Sequence, residues 1–170
     1  MKDISVQELI SSSKYIPVDV RAPIEHKESA IPGSVNIPLF TDDERQEIGT
    51  LYKKSGEEAA KWRAMEIVSP KLPRLLGEIK ELKKTGAEPI IHCWRGGMRS
   101  RSVASFLEYA GIPSYRLEGG YRAYREYILK RIPEILPQKA VVLHGMTGTG
   151  KTDLLKALLE KGYPVVDLEQ

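Results

Sequence analysis

The chain has 170 residues, of which 41% are hydrophobic and 29% charged, a balance typical of a globular protein with a core of its own. No apolar run reaches the roughly 18 residues of a membrane span, and the first residues lack the basic-then-apolar order of a signal peptide, so we expect a cytoplasmic protein. Cys93 is the single cysteine, which excludes an intramolecular disulfide and a cysteine-based metal site. The net charge of +3 permits an anionic partner without requiring one.

Apolar, β-prone segments alternate with helical segments through most of the chain. Strands are predicted at residues 15–20, 89–93 and 114–117, with a very short one inside the turn-rich segment 31–38. Helices are predicted from residue 41, over 56–68, 75–84, 99–110 and 120–131. This order predicts an α/β fold, with a parallel sheet flanked by helices and functional sites at the carboxyl ends of strands.

A second α/β pattern begins near the carboxyl terminus. After a linker at 136–138, the sequence predicts a strand at 140–144, a helix at 151–160 and a strand at 164–167. We therefore predict a first domain over residues 1–136 and an incomplete, truncated second α/β domain over residues 137–170.

The first candidate site surrounds Cys93, which is predicted to follow a strand and to precede a glycine-containing loop and a helix start. Inward-pointing loop amides and the helix start would both stabilise an anion. Arg95, Arg99 and Arg101 add positive charge, with no acid between Cys93 and Arg101. These features favour the thiolate, so Cys93 is the predicted catalytic nucleophile. The predicted anion- and substrate-binding residues are Trp94, Arg95, Gly96, Gly97, Arg99 and Ser100.

Four motifs together resemble the rhodanese family. They are VDVR at 18–21, IPGSVNIP at 31–38, His92-Cys93, and LEGGY at 117–121. The resemblance covers about residues 4–130 and implies a rhodanese-like parallel sheet and a cysteine that carries sulfur. It gives His92 no fixed role, and its side chain is expected to point away from the loop. Asp19 and Arg21 are expected to form a structural ion pair.

A competing pattern is the spacing His92-Cys93-x5-Arg99. It resembles the signature of cysteine-dependent phosphatases, including Cdc25-like enzymes built on the rhodanese fold. In such a site the arginine grips a phosphoryl group with two hydrogen bonds. A phosphatase and a general rhodanese sulfurtransferase therefore both stay open as alternatives.

The second candidate site is the segment GMTGTGKT at 145–152, which matches the P-loop pattern G-x-x-x-x-G-K-[ST]. Glycine amides would hold a diphosphate, Lys151 would neutralise it, and the Thr152 hydroxyl would hold Mg²⁺ beside a nucleotide. ATP and GTP are the default ligands, but any diphosphate suits the loop. The predicted phosphate-binding residues are Gly145, Gly148, Gly150, Lys151 and Thr152, and we predict no metal site built from protein ligands alone.

A rhodanese segment followed directly by a P-loop, together with the strings CWRGGMRS and GGYRAYR and a helical insertion at 41–70, closely resembles the tRNA 2-selenouridine synthases. The resemblance implies a transferase that replaces sulfur by selenium in 2-thiouridine at the tRNA wobble position, through an S-geranylated intermediate. Cys93 would carry the selenium step, and the P-loop would help hold the diphosphate of the geranyl donor. Selenophosphate and geranyl diphosphate would be co-substrates, with no covalently bound cofactor.

The same resemblance makes the anticodon loop of tRNA the expected partner, with no membrane involved. Trp94 is a candidate stacking platform for the splayed uridine, against ordinary packing as the alternative. The five basic residues of the 41–70 insertion are candidate phosphate contacts, although its acids make a solvated helical face an equal alternative.

Overall fold

The structure is a computed structural model that describes residues 2–135 and 139–167, so the predicted linker at 136–138 lies outside the described residues. The chain divides into two compact units, Met1–Glu134 and Ile135–Gln170. Among the described residues, no helix combines the length and the apolar character needed to cross a lipid bilayer.

A five-stranded parallel sheet organises the first unit. Its strands are β1 Lys2–Ile4, β2 Tyr15–Asp19, β3 Val35–Asn36, β4 Glu88–His92 and β5 Tyr115–Leu117, in the order β1-β5-β4-β2-β3. The predicted parallel sheet is confirmed, and β2, β4 and β5 each lie within one residue of their predicted bounds. β1 was not predicted, because three residues are too few to carry a period-two pattern.

Helices connect the strands. They are α1 Val6–Ser11, α2 Pro23–Glu28, α3 Asp42–Val68, α4 Leu72–Lys83, α5 Met98–Tyr109 and α6 Gly120–Ile135, with a single 3-10 turn at Ser69–Lys71 before α4. Capping chemistry sets several of their starts: Ser5 accepts a hydrogen bond from the Glu8 amide, and Thr41 accepts one from the Glu44 amide. The short helices α1 and α2 were not predicted.

The core covers both faces of the sheet. Neighbouring residues of β4, Ile90 and Ile91, are both fully buried but pack into different apolar clusters. Side chains alternate across a strand, so this separation places one cluster on each face. The larger cluster includes Val18, Val103 and Cys93. The β4 strand is therefore held from both sides, and its carboxyl end is a fixed position for the residue that follows.

The predicted insertion at 41–70 is a helical hairpin. Gly56 interrupts α3 with a φ of 86°, a conformation that favours glycine. Arg63 donates to Glu47 across 2.6 Å, although residues sixteen apart would be about 24 Å apart in an unbroken helix. Lys71 likewise reaches Glu44 at 2.5 Å. The two arms of α3 therefore lie side by side, and the hairpin ends near where it began.

The second unit contains one helix, α7 Lys151–Glu160, among its described residues, in agreement with the prediction. The predicted strands at 140–144 and 164–167 are wrong, because no described strand pairs with either segment and a strand needs a hydrogen-bonded neighbour. Val141 and Val142 are accordingly 92% and 82% exposed. The α/β character predicted for this unit is thus not present in the described residues.

Candidate active site

Cys93 follows the last residue of β4 and is only 3% exposed. Its Sγ lies 3.3 Å from the hydroxyl of Ser100, which is fully buried in the first turn of α5. The Ser100 hydroxyl also lies 3.3 Å from the carbonyl oxygen of Gly97, which it can reach as a donor. The strand and the helix together fix the sulfur and a hydroxyl at hydrogen-bonding distance, so the hydroxyl can donate to a charged sulfur.

The loop after Cys93 is packed against a second glycine turn. Gly96 and Gly120 adopt φ angles of 65° and 63°. A Cβ atom on Gly120 would lie 2.3 Å from the Cys93 carbonyl oxygen and 2.5 Å from the Gly96 nitrogen. The amides of Tyr121 and Arg122 donate to the carbonyls of Cys93 and Trp94, each at 2.9 Å. The start of α6 is therefore part of the site, and the glycines are needed for this close approach.

The three arginines predicted near Cys93 have different surroundings. Arg95 and Arg101 are exposed. Arg99 instead directs both terminal nitrogens at Glu25, at 2.5 and 3.1 Å. Burial would raise the pKa of Glu25, but the hydrogen bonds and charge of Arg99 outweigh it and lower that pKa. The sequence offered no sign of this pairing, because Glu25 lies in a short helix far along the chain.

Arg116, in β5, is a further cation of the site that the sequence analysis missed. It donates to the Gly96 carbonyl across 3.2 Å and holds the Asp3 carboxylate through two nitrogens. The hydrogen-bonded Asp3 raises the pKa of Arg116 against the effect of burial, and the nearby Cys93 sulfur raises it slightly further. The only signal in the sequence was its place on the strand next to β4, where Ile91 pairs with Arg116.

Asp19 and Arg21 form the expected structural ion pair. Both are buried, and Arg21 binds the carboxylate through its side chain at 2.6 to 3.0 Å and through its backbone amide at 3.0 Å. Arg21 also donates to the Ser29 carbonyl. The guanidinium lies 4.5 Å from the ring centre of Tyr121, so it links the sheet to the start of α6.

His92 is fully buried, and neither ring nitrogen has a hydrogen-bond partner among the described residues. Its Nδ1 atom lies 3.9 Å from Asp19. Burial lowers the pKa of His92 to about 4, although the Asp19 carboxylate acts in the opposite direction. The ring is therefore neutral at physiological pH, which suits a structural position.

Trp94 is half-buried, with its ring centre 5.6 Å from that of Tyr121 and 6.0 Å from the Arg21 guanidinium. Ordinary packing accounts for much of its surface. The part of the Trp94 ring that stays exposed is available to a stacking partner.

The P-loop segment forms a tight turn before α7. Gly148 and Gly150 have φ angles of 84° and 77°, which require glycine. The Lys151 ammonium donates to the carbonyls of Gly145 and Met146, both at 3.0 Å, and so closes the loop upon itself. Thr152 is partly exposed in the first turn of the helix. Among residues 2–135 and 139–167, no group of three or more His, Cys, Asp or Glu side chains could hold a metal ion.

The first predicted site is thus one assembly. The structure brings together Cys93, Trp94, Gly96, Gly97 and Ser100 at one loop, with Arg95 at its surface and Arg99 drawn to Glu25. A cysteine loop of this kind at the end of a central parallel strand is characteristic of the rhodanese fold.

The comparisons with known proteins agree with that geometry. The model of the rhodanese-like domain family matches residues 4–127, and the chain therefore belongs to the rhodanese-like family. A crystal structure of an N-terminal domain from Clostridium difficile 630 is 39% identical to this chain and superposes with a TM-score of 0.71. That match covers 74% of this chain and 98% of the domain, so the predicted rhodanese-like fold is confirmed.

Similar curated proteins are tRNA 2-selenouridine synthases, as the sequence motifs had predicted. The one from Bdellovibrio bacteriovorus is 42% identical over 154 residues, which are 89% of this chain and 40% of the relative. That from Psychromonas ingrahamii is 38% identical over 141 residues, which are 83% of this chain and 39% of the relative. The chain therefore spans about two fifths of the length of the curated relatives it matches.

Proposed function

We propose that this chain carries the chalcogen-transfer site of a tRNA-modifying enzyme that replaces sulfur by selenium in wobble 2-thiouridine. The observation that carries the proposal is the Cys93 sulfur at the end of β4, 3.3 Å from the Ser100 hydroxyl and beside a glycine-rich loop. Its support from known proteins is the rhodanese-like match and the identity to tRNA 2-selenouridine synthases.

In this proposal Cys93 is the catalytic residue and carries the selenium step. A thiolate needs hydrogen-bond donors and positive charge to persist at neutral pH. The Ser100 hydroxyl lies 3.3 Å from the sulfur and would donate to a thiolate in place of the Gly97 carbonyl. Arg116 supplies a cation at the Gly96 carbonyl, and Arg95 supplies one at the surface of the loop. The amides of Gly96 and Gly97 are proposed as further donors to an anion bound at this loop. The positive charge suits an anionic donor, and selenophosphate is the donor we propose.

The P-loop residues are proposed to act on the other co-substrate. Gly145, Gly148, Gly150, Lys151 and Thr152 would hold the diphosphate of geranyl diphosphate, as the resemblance implies, with the amides at the start of α7 as donors. Lys151 would exchange its contacts with the Gly145 and Met146 carbonyls for the diphosphate. Mg²⁺ would be bound together with that diphosphate, through the Thr152 hydroxyl. The S-geranylated intermediate would then be the substrate for selenium at the Cys93 site.

The partner in this proposal is the anticodon loop of tRNA, and the charge distribution favours one surface for it. The α3 hairpin segment 41–70 holds seven acids against five bases, and Lys61 and Arg63 are paired with acids. At the Cys93 loop Arg95 is exposed, and in α6 Arg122 and Arg125 are exposed as well. The Arg122 amide donates to the Trp94 carbonyl, and its side chain lies 3.6 Å from Glu126. Phosphate contacts require accessible cations, so we place the RNA on this second surface.

A pair of matched triple variants tests that placement. Replacement of Arg95, Arg122 and Arg125 by Ala should weaken binding of an anticodon stem-loop and reduce the salt dependence of its dissociation constant. Replacement of the exposed Lys53, Lys54 and Lys61 by Ala removes the same charge from the hairpin and should change little. If the hairpin variant loses the binding instead, the RNA lies on α3.

The function itself is tested with a pre-formed intermediate. The chain is incubated with selenophosphate and an anticodon stem-loop that already carries S-geranyl-2-thiouridine, and the nucleosides are analysed by mass spectrometry. We expect 2-selenouridine with the wild-type chain and none with Cys93→Ser. Transfer of sulfur from thiosulfate to cyanide without any selenouridine would identify a general rhodanese sulfurtransferase instead.

A further inference from the structure

In a Cys-x5-Arg site, Arg99 would bind a phosphoryl group. Here its guanidinium is already hydrogen-bonded to the Glu25 carboxylate. Its Nη1 and Nη2 atoms donate to the two carboxylate oxygens of Glu25, at 2.5 and 3.1 Å. A carboxylate presents two coplanar acceptors to a guanidinium in the same way as two oxygens of a phosphate do. Glu25 therefore accepts from the two Arg99 nitrogens that a phosphoryl group would use.

Glu25 is itself held firmly in this position. It lies in the first turn of α2, where its Oε2 accepts a hydrogen bond from the Ala22 amide at 3.1 Å. Arg45, from the first turn of α3, approaches the same oxygen at 3.8 Å. The Arg99 and Glu25 side chains are only 18% and 23% exposed, so the ion pair is better protected from solvent screening than a surface pair.

Arg99 and the adjacent Ser100 contact different parts of the molecule. Ser100, the next residue of α5, directs its hydroxyl at the Cys93 sulfur, whereas Arg99 is drawn toward α2. The sulfur thus keeps the Ser100 hydroxyl within hydrogen-bonding distance but lacks the two-nitrogen guanidinium contact that would align a phosphorus atom.

We infer that Glu25 is a specificity-determining residue of the Cys93 site, which withholds Arg99 from phosphate-type oxyanions. Inorganic phosphate then binds weakly at the loop, and Cys93 is not presented to a phosphorus atom. The inference deepens the proposed function and rests on its placing the reactive sulfur at Cys93.

The experiment measures how inorganic phosphate protects Cys93 from alkylation by iodoacetamide, in the full chain. Glu25→Gln keeps an oxygen for the Ala22 amide but removes the charge that holds Arg99. Glu28→Gln, at an exposed acid of the same helix, is the matched control. Glu25→Asp keeps the charge but shortens the side chain, and serves as a second variant if Glu25→Gln proves unstable.

We expect phosphate to protect Cys93 at least about ten-fold more effectively in Glu25→Gln than in the wild type, because a charge-assisted hydrogen bond to the released arginine is worth that much. Glu25→Asp should lie between the two, and Glu28→Gln should match the wild type. The gain should disappear in the double variant Glu25→Gln with Arg99→Ala.

Three results would overturn the inference. They are equal protection in the wild type and both Glu25 variants, an equal gain in Glu28→Gln, or a gain that survives Arg99→Ala. The rate of alkylation without phosphate is measured in the same series and reports on the nucleophile alone. A failure of the proposed role of Cys93 is thereby distinguished from a failure of the role given to Glu25.

Discussion

Arg116 and Gly96 are joined by a hydrogen bond of 3.2 Å from the arginine Nη1 to the glycine carbonyl oxygen. The same guanidinium holds Asp3 in β1, so the cysteine loop is tied to the far edge of the sheet. The Asp3 hydrogen bond raises the pKa of Arg116 most, and the Cys93 sulfur adds to that increase. Arg116 is therefore a positioning residue for the loop and a source of positive charge for the thiolate.

Replacing Arg116 by Gln should slow the alkylation of Cys93 at neutral pH about three- to ten-fold, since both a cation near the sulfur and a hydrogen bond to the loop are lost. Arg74→Gln removes the same charge from an arginine whose side chain is 88% exposed and should have no effect. Equal rates for Arg116→Gln and the wild type across the pH range would contradict this role.

Gly120→Ala should lower the free energy of unfolding by about 3 kcal/mol or more, because the new Cβ meets backbone atoms of Cys93 and Gly96 that cannot move aside. Gly86 is a matched control, since its φ of 85° is also left-handed but nothing lies within 4 Å of its Cβ position. Gly86→Ala should cost about 1–2 kcal/mol, the conformational part alone. Urea unfolding measures both, and equal losses would mean that the close approach at Cys93 is relieved without cost.

His92 should make the protein lose stability in mild acid. Its pKa of about 4 in the folded state lies below the unfolded value of 6.5, so between these pH values the unfolded chain binds a proton that the folded chain does not. The contribution is fully present above pH 6.5 and is lost as the pH falls toward 4. The loss is about 3 kcal/mol.

The measurement is urea unfolding of the wild type and His92→Asn over that pH range. The asparagine does not titrate, so the difference between the two proteins should shrink as the pH falls. A difference that is independent of pH would mean that His92 takes up its proton at the same pH in the folded and unfolded states, and would contradict the lowered pKa.

The features of this structure that could be predicted are those set by residues close together in the sequence. Cys93 at the end of a strand, the glycine loop and the helix start follow from short-range patterns, and the residues of β4 and α5 bear them out. Glu25 and Arg116 could not be found in that way, because their partners lie 74 and 20 residues away. The fold brings these acids and bases together, and the sequence around an isolated acid or base does not indicate which residue it will pair with.

In the second unit, by contrast, the sequence predicted strands that the structure does not contain among the described residues. The segment at 140–144 has the composition of a buried strand, but a strand exists only when a neighbouring strand satisfies its amides and carbonyls. The helix at Lys151–Glu160 needs no such neighbour for its own hydrogen bonds, and it forms as predicted. Local composition therefore predicted the helix correctly and the strands wrongly.

The most direct test is whether selenium reaches the RNA only when the Cys93 sulfur is present. The wild-type chain and Cys93→Ser are incubated with radiolabelled selenophosphate and an anticodon stem-loop that carries S-geranyl-2-thiouridine, and the label in the RNA nucleosides is counted. We expect labelled 2-selenouridine with the wild-type chain and none with folded Cys93→Ser. Label incorporated by Cys93→Ser, or a folded wild type that incorporates none, would contradict the role of Cys93.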